Sequence, residues 1–134
     1  MAARCVVGAA ILDGHGRVLA AQRAKPPDLA GRWEFPGGKL RPGESEHDGL
    51  VRECAEELGV TVAPQRFVGD VPIPGNRRLR VWTALIVHGE PTPIEHRELR
   101  WVTAEEIDDL DWLEPDRPLL PALKPLLSDG YGQA

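Results

Sequence analysis

Gly38-Lys39-Leu40-Arg41-Pro42-Gly43-Glu44, continuing as Ser45 to Val60 (SEHDGLVRECAEELGV), is a glycine-rich loop that runs directly into a helix with a start signal and a stop signal. Ser45 is a good N-cap, and Asp48 three residues on makes a near capping box. Gly59 is a natural C′ residue, with apolar Val60 after it. Leu50, Val51, Cys54, Ala55 and Leu58 fall in one sector at about 100° per residue and should face a core. Glu53, Glu56 and Glu57 share a different sector, so three negative charges crowd together. Like charges at such spacing cost roughly 0.2–0.5 kcal/mol per pair. A bare Glu-x-x-Glu-Glu is ordinarily a solvated helix face. A hard divalent cation, Mg²⁺ or Mn²⁺, would turn the crowding into a binding site, because oxygen ligands suit both ions.

The longer pattern carries more information. Gly38, Glu44, Arg52, Glu53, Glu56, Glu57 and Gly59 stand at fixed spacing, with apolar Cys54, Ala55, Leu58 and Val60 between and after them. At about 7% usage per residue, seven fixed positions coincide on the order of once in 10⁸ starts. The whole run resembles the Nudix box, with Cys54 where that family usually places an aliphatic residue.

The resemblance implies an α/β fold, a Nudix-type α/β/α sandwich with a mixed β-sheet, and cleavage of a nucleoside diphosphate joined to another group. It assigns Glu53, Glu56 and Glu57 to metal binding, with the Gly38 carbonyl as a further oxygen ligand. Arg52 matches the residue that orients the central glutamate, and Glu44 a more peripheral acid. Glu53 is the first candidate for general base and Glu95 the second, since either carboxylate near a metal can hold a water. Glu95 lies six residues before Trp101, the spacing at which MutT-like proteins bring a loop glutamate to the metals.

Arg23 and the segment Gly31 to Gly38 (GRWEFPGG) resemble the MutT-like branch. On that reading Arg23 reaches toward the substrate phosphates, Gly37 and Lys39 bind substrate, and Phe35 packs under the base or in the core. Separately, Arg77, Arg78 and Arg80 could funnel the anionic substrate, or protect an exposed strand edge. In MutT-like enzymes the residue just before the final helix reads the nucleobase, and here it is Asp116. An ionised aspartate only accepts hydrogen bonds, which suits the amino group of cytosine. The expected activity is therefore Mg²⁺-dependent conversion of (d)CTP-like triphosphates, 5-methyl-dCTP included, to monophosphate and pyrophosphate, as nucleotide-pool sanitation. Alternatives are an 8-oxo-dGTP diphosphatase, for which a protonated Asp116 can also donate, an ADP-ribose-type pyrophosphatase, and a non-catalytic binding module on the same fold.

Composition bounds these readings. The chain has 134 residues and a net charge of −5, against the basic surface of a duplex-coating protein. Cys5 and Cys54 both sit in apolar runs, which points to free thiols and a cytoplasmic protein. No leader or membrane span is expected, and the chain should be a monomer or homodimer acting on a small nucleotide.

Along the chain, strands are expected at Arg4–Leu12, Arg17–Arg23, Trp33–Phe35, Gln65–Val71, Arg77–His88 and Leu99–Val102. Thr103 and Glu106 should cap a short helix to about Leu110. Pro118 should start a last helix that Pro125 bends or ends. A single domain should cover residues 1–127, with 128–134 a flexible tail.

Overall fold

The computed structural model describes residues 4–128. Its strands are β1 (Arg4–Leu12), β2 (Arg17–Gln22), β3 (Trp33–Glu34), β4 (Gly37–Lys39), β5 (Thr61–Ile73), β6 (Arg77–His88) and β7 (Glu98–Thr103). Two α-helices, α1 (Glu46–Leu58) and α2 (Leu120–Ser128), complete it, with short 3-10 turns at Ile107–Asp109 and Glu114–Leu119.

The strands form one mixed sheet in the order β3-β2-β1-β6-β5, with β4 paired to β1 and β7 to β2. β1 runs parallel to β6 over the whole length of β1, from Arg4–Arg77 to Leu12–Leu85. Alternation along β1 then sorts side chains to two cores. Val7, Ala9 and Ile11 face α1, where Leu50, Cys54 and Leu58 cover them. Ala10 and Leu12 face the other way, toward Trp112, Leu119, Leu120, Leu123 and Leu127. Both faces of the sheet are thus covered, as a sandwich of this class requires.

The caps of α1 are those its sequence signals. Ser45 Oγ accepts the Asp48 N–H at 3.0 Å, and Gly59 closes the helix at φ 72°. Thr103 and Glu106 exchange the reciprocal bonds of a capping box, at 3.2 and 2.9 Å, over a 3-10 turn rather than an α-helix.

Several boundaries differ from expectation. Gly38, expected to open the glycine-rich loop, lies with Gly37 in strand β4, paired to β1 at Gly8–Gly37 and Val7–Gly38. β5 extends past both ends of the expected Gln65–Val71 and contains Pro64 and Pro72. It lies at the edge of the sheet, where a missing N–H is tolerated. Pro118 sits in the 3-10 turn, α2 starts at Leu120, and it runs through Pro125 without ending. Ser128, assigned to the tail, is the last residue of α2, and 129–134 lie outside the described residues.

Candidate active site

Arg52 organises the acidic face of α1. Its guanidinium grips Glu44 bidentately at 2.8 and 2.9 Å, a geometry that suits a planar fork. The same group donates to Glu53 at 2.9 Å, to Glu56 at 3.3 Å and to the Lys39 carbonyl at 3.1 Å. Hydrogen bonds from Arg52 hold the Glu44 carboxyl down to about 2. One arginine thus ties the loop after β4 to the helix and fixes the carboxylate of Glu53.

Glu53 lies directly over Gly38. A Cβ built on Gly38 would stand 2.6 Å from the Glu53 carboxyl carbon and 2.7 Å from its oxygens. Only a residue without a side chain leaves this carboxylate room. The clash is with a side-chain tip and not with backbone, so Gly38→Ala should fold and melt within a few degrees of wild type. Its turnover should fall about 100-fold or more, the scale expected when a catalytic group is displaced by about 1 Å. Unaltered pyrophosphate release by this variant would remove Glu53 from the reaction.

Glu57 is the buried member of the trio, 9% exposed, and its Oε1 accepts the Gly37 N–H at 3.2 Å. Burial, and then the charges of Glu34, Glu53 and Glu95, push its carboxyl up to about 8. Glu56 is more exposed and pairs with Arg41 and Arg52, each at 3.3 Å.

The loop after β6 is fastened to the end of α1 by Thr92 N–H to the Leu58 carbonyl at 2.9 Å and Ile94 N–H to the Glu57 carbonyl at 3.2 Å. It thereby brings Glu95 and His96 to a cavity of about 480 Å³ that Arg23, Glu34, Gly37, Gly38, Lys39 and Glu57 also line. Among the described residues no three His, Cys, Asp or Glu side chains converge as a metal site, and Glu53, Glu56 and Glu57 each accept a hydrogen bond from a protein donor. Their chemistry nevertheless fits a hard cation. Adjacent carboxylates repel, one is buried and forced toward its neutral form, and nearby loop backbone offers further oxygen.

A second cavity of about 230 Å³ adjoins the first, lined by Phe35, Leu79, Leu113, Pro115 and Asp116, and again by Arg23, Glu34 and Arg77. Phe35 is buried against Trp112, ring centroids 4.9 Å apart. The loop bearing Asp116 is held by β3. Trp33 N–H donates to the Asp111 carbonyl at 2.9 Å, Leu113 N–H to the Trp33 carbonyl at 2.8 Å, and Arg32 Nη2 to the Trp112 carbonyl at 2.8 Å. Asp116 itself is 4% exposed. Burial first, then the charge of Glu34, pushes its carboxyl up to about 8, only partly offset by the Phe35 N–H. The acceptor-only role expected of it requires the ionised form, which burial disfavours; the protonated form both donates and accepts.

Arg78 also departs from expectation. It donates to Asp70 at 2.7 Å, beside Arg80, which bridges Asp70 and Glu46 at 2.8 Å each. That network lies on the α1 side of the sheet and lines neither cavity. Strand alternation puts its neighbour Arg77 on the other face, where it lines both. Glu34 was given no role from sequence. The signal for it was one acid between two buried aromatics, Trp33 and Phe35, in a two-residue strand.

Residues 3–123 match the NUDIX domain. "Putative 8-oxo-dGTP diphosphatase 2" of Mycobacterium tuberculosis (strain ATCC 25618 / H37Rv) is 48% identical, over 84% of this chain and 82% of that protein. CTP pyrophosphohydrolase of Escherichia coli (strain K12) is 38% identical, over 90% of this chain and 91% of that one. Among solved structures, that of the E. coli ORF135 protein superposes with a TM-score of 0.81 at 35% identity, covering 96% of this chain and 94% of its own.

Proposed function

This chain belongs to the NUDIX family and is a MutT-like hydrolase of nucleoside triphosphates; we propose that its preferred substrate is 8-oxo-dGTP, cleaved to monophosphate and pyrophosphate. Glu53, Glu56, Glu57, Glu95 and the Gly38 carbonyl are the groups that would hold Mg²⁺ or Mn²⁺, which supplies charge neutralisation and acidifies a water. Arg23 and Lys39 bind phosphate oxygens from the cavity wall. Arg52 holds the Glu53 carboxylate still, and Glu53, or else Glu95, takes the proton of the attacking water.

The observation that carries the base preference is the burial of Asp116, which pushes its carboxyl up to about 8 and favours the neutral acid. Guanine offers two acceptors on its major-groove edge, N7 and O6. Oxidation at C8 makes N7 an N–H donor and leaves O6 an acceptor. A neutral carboxyl matches that pair, donating to O6 and accepting from N7–H. Against ordinary guanine its carbonyl oxygen meets another acceptor. The 48% identity to a protein named for 8-oxo-dGTP supports the same choice.

A cytidine nucleotide is the second reading, favoured by the 38% relative named for CTP. As read from sequence it requires an ionised Asp116. The pH profile separates the two. If the neutral acid reads the base, kcat/KM for 8-oxo-dGTP falls as pH rises through about 8. If the carboxylate reads cytosine, kcat/KM for dCTP rises through the same window. Asp116→Asn, which donates and accepts at any pH, should keep 8-oxo-dGTP turnover and lose that pH step. The substrate's own titration remains in the variant, so the difference belongs to Asp116. A pyrophosphate-release panel in which dCTP or 5-methyl-dCTP outruns 8-oxo-dGTP in the wild type would reverse the assignment.

A further inference from the structure

Arg23, Glu34, Gly37 and Arg77 line both cavities, the larger with the phosphate-binding groups and the smaller with Phe35 and Asp116. In a nucleotide the sugar joins base to phosphate, so a ligand that fills both cavities has its sugar against the shared wall. Of these shared residues Glu34 alone is acidic. An ionised carboxylate has about four lone-pair sites and only accepts. Arg23 Nη1 donates to its Oε1 at 3.2 Å, and His96 Nε2 stands 2.9 Å from its Oε2. With side-chain exposure of 17%, Glu34 keeps acceptor surface open to the cavity.

Two further features call for a ligand at this wall. Glu34 shares the cavity with Glu57 and Glu95, so a third acid adds repulsion that a glutamine would avoid. His96, with 6% side-chain exposure, also has a buried Nδ1 without a hydrogen-bond partner among the described residues. Buried polar atoms are ordinarily satisfied. The polar shell around Glu34 is therefore one that the protein alone does not complete.

We propose that Glu34, held by Arg23 and His96, is the sugar-reading residue of the nucleotide site and accepts the hydrogen of the 3′-hydroxyl. This rests on the triphosphate-hydrolase reading above and adds the sugar subsite to it. The 3′-hydroxyl is the free hydroxyl that ribose and deoxyribose triphosphates share, so one carboxylate serves both. His96 is a positioning residue, acting through Glu34.

The test deletes the hydroxyl and the side chain in turn. Pyrophosphate release is measured with dGTP and 2′,3′-dideoxy-GTP, and with dCTP and 2′,3′-dideoxy-CTP, for wild type, Glu34→Gln, His96→Phe and His96→Gln. Loss of the hydroxyl should cost the wild type about 10- to 100-fold in kcat/KM, the scale of a hydrogen bond to a charged group. In Glu34→Gln and His96→Phe that ratio should shrink to about threefold or less, while His96→Gln, whose amide can reach the same carboxylate, restores most of it. A wild type indifferent to the 3′-hydroxyl overturns the proposal, as does a ratio unchanged in Glu34→Gln. If no triphosphate is turned over, 8-oxo-dGTP included, the assigned reaction fails instead. The subsite is then judged by calorimetric binding of dGMP against 2′,3′-dideoxy-GMP, and equal affinities overturn it.

Discussion

Gly37→Ala should melt at least about 15 °C below wild type and release no measurable pyrophosphate. Gly37 sits at φ 155°, and a Cβ there would lie 1.9 Å from the Val7 carbonyl oxygen and 2.9 Å from the Gly8 Cα. Those are backbone atoms of the central strand, buried from Val7 to Leu12, and cannot swing aside. The residue could be accommodated only by breaking the Val6–Lys39, Val7–Gly38 and Gly8–Gly37 pairing of β4 with β1. That would also withdraw the Gly37 N–H from Glu57. Losses of this kind exceed about 4 kcal/mol, and each kcal/mol moves Tm by roughly 4 °C in a chain of this size. Gly43→Ala is the control: φ is 78° but nothing lies within 4 Å, so it registers conformational strain alone, about 1–2 kcal/mol. Circular-dichroism melts of the two variants side by side make the comparison. If Gly37→Ala and Gly43→Ala melt together, β4 is not fastened to β1 as described.

The contrast between Gly37 and Gly38 shows where sequence reading stops. α1 was legible because a cap, an apolar sector and a terminal glycine all act within sixteen residues of chain. β1 and β6 were legible because apolar runs of that length have few other fates. β4 was not, since two glycines carry no side-chain pattern and only the approach of β1 makes them a strand. The acidic trio and Arg52 could be named in advance, as could Glu44. Which of the trio would be buried could not, because Glu57 is enclosed by residues distant in sequence.

Asp116 illustrates the same limit more sharply. Its position could be read, but its protonation depends on burial among Leu113, Pro115 and Phe35 and on the charge of Glu34. Charge alone marks Arg77, Arg78 and Arg80 as an anion funnel and does not separate them. The register of β6 against β1, Arg77 opposite Arg4, decides which face each arginine takes, and a shift of one residue would exchange them.

Glu57→Gln is expected to lower turnover by about 10³-fold, equivalent to about 4 kcal/mol of transition-state stabilisation. It should do so while making the metal-free protein more stable at alkaline pH. The two effects have one cause. Burial and neighbouring carboxylates raise the Glu57 carboxyl from 4.5 to about 8 in the folded chain. Between those values the folded state binds the extra proton, so stability is fully present below about 4.5 and is lost as pH rises through 8. Glutamine keeps an oxygen for the Gly37 N–H and has nothing to ionise, so this part of the loss disappears. Asp116, also raised to about 8, contributes a slope of the same sign that remains in the variant. Melting in EDTA from pH 5 to 9 should therefore show a shallower decline for Glu57→Gln and a higher Tm than wild type at pH 9. Added Mg²⁺ should raise the wild-type Tm there and leave the variant nearly unmoved. A simple structural role for Glu57 predicts the reverse, a less stable variant with turnover reduced only in proportion to the unfolded fraction. That result would separate Glu57 from cation binding, and a bound cation would no longer account for the crowded charge on α1.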